Sequence, residues 1–271
     1  MYHCLITSST RGSNTVLKMN KVYLTWFVLL LGLCLTQVEA RSIKKIETVG
    51  PSNNSCWDYF MLVQRWPYST CQIVNASGSP CLIPERIHSW TLHGLWPDNI
   101  NTYPTHCGNE TFDNKKIEGL EEELLMKWPN LYEEETVDSL WKHEFEKHGT
   151  CAQSLESFKE QRSYFTNTLA YFDKWNVADV LAQQGILPRI IPYKASTLVN
   201  AIQKGYDKIV CPGCGHIEGF GQILSQVYMC IDQADTLVNC PTCEKECHMD
   251  QPVYYQPNHP KTFVDPSVNS V

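Results

Sequence analysis

No surplus of positive charge runs through this sequence. Its 271 residues carry a formal net charge of −7, and only 19% of them are charged. That excludes binding a polyanion through a broad basic surface, so any nucleic-acid contact must be local. Long apolar runs are also missing. The stretch from Val22 to Leu35 falls short of the ~20 residues that a membrane-spanning helix needs. There is no internal repeat, no low-complexity tract and no regular alternation of strand and helix patterns, which excludes solenoids and doubly wound α/β folds. A hydrophobic content of 43% is that of an ordinary globular core. Cysteine, by contrast, is abundant: thirteen residues are too many for a typical cytosolic protein and point to an oxidising compartment.

The N-terminal 40 residues read as targeting sequence. Lys21 precedes the apolar run, and Val38-Glu39-Ala40 is a cleavage site of the small-residue type. Met19 starts a conventional signal peptide, so residues 1–18 are either an upstream extension or the product of a misassigned start, and the mature domain spans 41–271. All cysteines but Cys4 and Cys34 fall in that domain. Secretion makes three acceptor triplets meaningful, at Asn53, Asn75 and Asn109, and predicts N-linked glycans there.

Trp57 to Trp66 and Ile87 to Trp96 read as strands, the second bounded by Pro84 and Pro97. Residues 117–128 and 154–173 carry helical patterning. Asn176 to Gln184 predicts a short helix capped by Asn176 and stopped by Gly185, and Ser196 to Lys204 another, stopped by Gly205. Gln222 to Ile231 and Val253 to Tyr255 read as strands. The irregular mixture predicts one α+β domain with a polar tail after Tyr255.

Two stretches carry chemistry. In Leu140-Trp141-Lys142-His143-Glu144-Phe145-Glu146-Lys147-His148-Gly149-Thr150-Cys151, a helix at about 100° per residue brings His143, Glu144, Lys147 and His148 within one arc of about 140°. Gly149 is positioned as its C-cap. Two imidazoles, a carboxyl and an ammonium on one face can move protons and stabilise a charged phosphate. Alone, the same spacing also fits a solvated face of i,i+4 ion pairs. The second stretch, Ser89-Trp90-Thr91-Leu92-His93-Gly94-Leu95-Trp96-Pro97-Asp98, brings a strand to a histidine followed by glycine, which lets a ligand approach the backbone. Trp96 can stack on a flat ligand, and Asp98 can accept hydrogen bonds from base or sugar edges. Alone, His93 and Trp96 read equally well as core residues.

Together the two stretches resemble the signatures of the ribonuclease T2 family, and the resemblance runs from about Trp57 to Tyr255, including Leu62-Val63-Gln64-Arg65-Trp66-Pro67. It implies a single-domain fold, an antiparallel sheet packed with helices and stapled by disulfides. It implies an endoribonuclease that cleaves single-stranded RNA by transphosphorylation to a 2′,3′-cyclic phosphate, without metal or other cofactor. By the same resemblance His148 matches the general base and His93 the general acid, Lys147 and Glu144 stabilise the transition state, and His143 holds phosphate. Trp96 and Asp98 match a base-binding site. Leu140 stands where many members have an aromatic residue facing the second base, and Phe145 stands where the family usually has tryptophan. The implied bridges are Cys71–Cys81, Cys107–Cys151, Cys211–Cys247 and Cys230–Cys240, with Cys214 and Cys243 left for an extra bridge and Cys56 as the odd one.

Two rival readings remain at this stage. Cys211-Pro212-Gly213-Cys214 and Cys240-Pro241-Thr242-Cys243 have the form of a four-cysteine zinc site, although the separation is long and the compartment oxidising. A secreted, monomeric glycoprotein of this kind, extracellular or lysosomal, can also act by binding a cell-surface lectin or receptor. The intact histidine–lysine–glutamate set favours catalysis.

Overall fold

The computed structural model describes residues 57–100, 102–243 and 247–257. The expected signal peptide, Asn53, Cys56 and the end of the tail lie outside them.

The sheet is built around one long strand, β5 (Gly221–Asp232). β1 (Tyr59–Arg65) pairs antiparallel with its C-terminal half, and β2 (Thr91–Asp98) pairs antiparallel with β1 as the edge strand. β7 (Pro252–Tyr255) runs parallel beside the start of β5, and β3 (Arg189–Lys194) extends the sheet from β7. The other edge of β5 is taken by β4 (Cys211–Ile217) and the short β6 (Leu237–Val238). The sheet is therefore mixed rather than purely antiparallel: β5 and β7 are the parallel pair.

Strand alternation gives this sheet two different faces. Phe60 and Leu62 of β1 join Val227, Met229 and Ile231 of β5 in the main core. Helix α5 (Gln161–Lys174) covers that face, where Phe60 packs on Phe158 and, edge-on, on Tyr171 at centroid distances of 4.6 and 6.4 Å. Full burial of such a ring is worth about 1.5–3 kcal/mol. The intervening residues Tyr59, Cys211, Cys230, Val238 and Cys240 form a smaller second cluster on the opposite face.

Helix α1 (Pro67–Ala76) follows β1 directly, with Pro67 at its first turn, where a missing N–H costs nothing. The helix α6 (Val177–Gln183) starts as expected, Asn176 accepting from the Ala178 and Asp179 N–H groups. Two glycine stops are corrected. Gly205 lies inside α7 (Ala195–Tyr206), which ends instead at Asp207 with φ 50°; a Cβ on Gly205 would strike Val180. Gly149 is likewise helical. Helix α3 (Ser139–Glu144) continues through a π turn (Phe145–Gly149) into α4 (Thr150–Ala152), and a Cβ at Gly149 would lie 2.6 Å from Phe145 Cδ2.

Five disulfides staple the described chain. Cys71–Cys81, Cys107–Cys151 and Cys230–Cys240 are paired as the resemblance implied. The remaining pairing is corrected: Cys211 bonds Cys243, and Cys214 bonds Cys247. Cys211 and Cys214 are three residues apart on β4, so they point to opposite faces. Cys243 packs with Cys211 against the second cluster, whereas Cys214 and Cys247 belong to the main core. The four cysteines of the zinc reading are all oxidised, which removes the thiolates that such a site requires. Asn75 and Asn109 are both exposed. No helix among the described residues is long and apolar enough to cross a membrane.

Candidate active site

Helix α3 runs beside edge strand β2, and the two signature stretches meet across a cleft of about 370 Å³ lined by His93, Trp96, His143, Glu144, Lys147 and His148. Two local irregularities aim these side chains. On β2, Gly94 pairs with Val63 while Leu92 pairs with Gln64, so His93 is the extra residue of a β-bulge. Bulges re-aim a side chain out of strand alternation. On the helix, the π turn carries Lys147 and His148, an irregularity that recurs at functional sites.

Trp96 joins the two halves. Its Nε1–H donates to Glu144 Oε2 at 2.7 Å, its face stacks on His148 (5.2 Å, 26°), and His93 meets it edge-on (5.1 Å, 80°). One face of the ring is thus covered by His148, while Trp96 still lines the cleft. Gly94 is needed for the same junction: a Cβ there would collide with Glu144 Oε2 and Trp96 Nε1. The close approach that this glycine permits is between protein groups rather than to a ligand.

The electrostatics are asymmetric. Glu144 is 1% exposed, and burial pushes its pKa up to about 8, against the opposing pull of the Trp96 hydrogen bond and the Arg65 and Lys147 charges. Arg65 is itself buried, with Nη2 donating to the Pro129 carbonyl at 2.6 Å. Burial first, then the Lys147, His143, His93 and His106 charges, drives His148 down to about 3. Its buried Nδ1 has no hydrogen-bond partner among the described residues. His143 is held below its ordinary value by partial burial, then by Lys147 and His106. His93 Nδ1 lies 3.0 Å from Gln226 Oε1.

Asp98 also lines the cleft and accepts from Tyr59 Oη at 3.4 Å and from the Asn99 N–H. Leu140 does not line it. It is one helical turn from Glu144 on the same side and 8% exposed, so it sits below the buried carboxyl in the core. The expectation that it touches a base is corrected accordingly.

Four further residues were not singled out in the sequence. Tyr103, 73% exposed, and Tyr228 line the cleft and offer π-faces to a base. Gln226 is a polar residue within an apolar strand pattern, a signal that was available. His106 precedes Cys107, and its N–H donates to the Lys147 carbonyl at 2.8 Å with φ 53°, tying it to the π turn.

Fold and cleft together define a disulfide-stapled α+β protein in which the two signature stretches meet. The Ribonuclease T2 family model matches residues 57–240. Among relatives, Ribonuclease Oy of Magallana gigas is 32% identical over 75% of this chain and 98% of that protein. Ribonuclease T2 of Sus scrofa is 32% identical over 74% and 98%. The crystal structure of human RNase T2 superposes with a TM-score of 0.61 and 30% identity, covering 74% of this chain and 99% of that one. The chain belongs to the ribonuclease T2 family and is an RNA-cleaving enzyme.

Proposed function

We propose that this enzyme cleaves single-stranded RNA by metal-independent transphosphorylation, with His148 as base and His93 as acid. The observation that carries the reading is the opposite treatment of the two imidazoles in one cleft. His148 is buried, its Nδ1 lacks a partner among the described residues, and it is driven towards the neutral form. A neutral imidazole can take the proton of the 2′-OH as O2′ attacks phosphorus. His93 has a carbonyl oxygen at Nδ1 that accepts from the protonated ring. It can therefore hold two protons and deliver the Nε2 proton to O5′ as the P–O5′ bond breaks. The products are a 2′,3′-cyclic phosphate and a 5′-OH.

Lys147 supplies positive charge to the phosphoryl oxygens, and His143 at the rim helps hold the phosphate. Glu144, pushed to about 8, keeps its proton near neutrality. As a neutral acid it donates a hydrogen bond to a phosphoryl oxygen, where a carboxylate would repel it. Asp98 and Tyr103 take the base. Five disulfides and the exposed acceptors Asn75 and Asn109 support a secreted or lysosomal glycoprotein.

The test is digestion of dinucleoside phosphates in EDTA across pH 4–8, followed by ³¹P NMR. The expected course is a cyclic-phosphate signal that precedes monophosphate, with a maximum on the acid side. His93→Ala and His148→Ala should each lose about 10²–10⁴-fold. Near-normal turnover in either variant would sink the assignment.

A further inference from the structure

We propose that Gln226 is the positioning residue for His93: its side-chain carbonyl holds the Nδ1–H tautomer and aims Nε2 at the reacting phosphate. The inference rests on the reading of His93 as the acid. Gln226 lies on β5, with β1 between it and His93. In register it faces Arg65, which in turn faces Thr91. Neighbouring strands are about 4.8 Å apart, so the β2 and β5 backbones are about 9–10 Å apart. The two side chains close that gap on the cleft face, Gln226 Oε1 meeting His93 Nδ1 at 3.0 Å. The bulge at His93 takes the imidazole out of ordinary alternation and makes the meeting possible.

The chemistry favours an amide at this position. An amide oxygen only accepts, so Nδ1 keeps its hydrogen in both charge states and every proton exchange occurs at Nε2. The ring that gives up its Nε2 proton to O5′ is left as the Nδ1–H tautomer, with Nε2 able to accept from water in the later hydrolysis. A carboxylate would orient the ring equally well but would raise its pKa by about 1–3 units, making it a weaker acid. Glutamine orients the ring without adding charge. His148 Nδ1 has no such partner among the described residues.

Two readouts test this on the intact enzyme. The first is the ¹⁵N signature of the neutral His93 imidazole, expected as a single Nδ1–H tautomer in wild type and as a mixture in Gln226→Leu. The second is the pH profile of kcat/KM on a dinucleoside phosphate. Gln226→Glu should move the alkaline limb upward by at least one pH unit. Gln226→Leu should lower kcat by about 10–100-fold with little change in KM, as misplacement of a reacting group does. A leucine variant that keeps wild-type tautomer, kcat and alkaline limb overturns the proposal. Should that variant fail to fold, the nearly isosteric Gln226→Glu still decides, because an unmoved alkaline limb overturns it. Full activity in His93→Ala would instead sink the acid assignment, and the ¹⁵N result would report on the contact independently.

Discussion

Trp96 Nε1–H donates to Glu144 Oε2 at 2.7 Å, a bond that joins edge strand β2 to helix α3 in the cleft. Both partners are set by close packing, since Gly94 leaves room for no more than these two groups. The bond favours the ionised carboxyl, because a donor stabilises the anion.

Trp96→Phe therefore leaves a buried carboxyl without its donor. The variant should be destabilised by about 1–3 kcal/mol where Glu144 is ionised, above about pH 8, and by less at pH 5. Urea unfolding at the two pH values measures it. An equal loss at both would mean that the ring's packing matters and the hydrogen bond does not.

Glu144 and His148 together give a pH dependence of stability. Glu144 rises from an ordinary 4.5 to about 8 on folding, so the native state binds more protons than the unfolded one between those values and its stability falls as pH rises through them. His148 drops from 6.5 to about 3, so its contribution rises with pH over that window. The two cancel between about 4.5 and 6.5, leaving a gain below that window and a loss above it, each at most about 1.4 kcal/mol per pH unit. Glu144→Gln should abolish the loss between pH 6.5 and 8. Thermal melts across pH 3–9 check this, and an unchanged alkaline decline in the variant would refute it.

Leu140→Phe distinguishes a core residue from a base contact. In a filled core the larger ring should cost about 1–3 kcal/mol. The rank order of dinucleoside phosphates by kcat/KM should stay as in wild type. A sharpened preference at one base position, at unchanged stability, would return Leu140 to the cleft.

The α3 helix and the His93 strand were legible from their residue spacing, and helical angle alone gathered His143, Glu144, Lys147 and His148. Depth was not legible. Leu140 shares the side of Glu144, and only the packing beneath the helix says that this side points into the core one turn further on. Proline misled at the end of β2: Pro97 remains in the strand, paired with Phe60. β2 is an edge strand, so proline's missing N–H can face away from the ladder. Gly149 and Gly205 misled because a glycine chosen for close packing looks, in sequence, like one chosen for a left-handed cap. The Gln226–His93 contact joins residues 133 apart; the polar Gln226 in an apolar strand marks one end, but nothing local names its partner.

The crossed bridges of β4 bear on how the chain matures. Cys211 and Cys214 are neighbours in sequence, yet their proper partners Cys243 and Cys247 lie on opposite sides of the sheet. Oxidation of an unfolded chain has little means of telling the two pairings apart, since closure entropy varies only slowly with loop length and the exchanged loops, Cys211–Cys247 and Cys214–Cys243, are close in length to the native separations of 32 and 33. Only a strand already docked against β5, with its two surfaces committed, discriminates between them. Covalent closure at this corner thus records that the sheet has formed, and a molecule that leaves the oxidising compartment with Cys211 joined to Cys247 would carry β4 in a non-native setting beside the cleft.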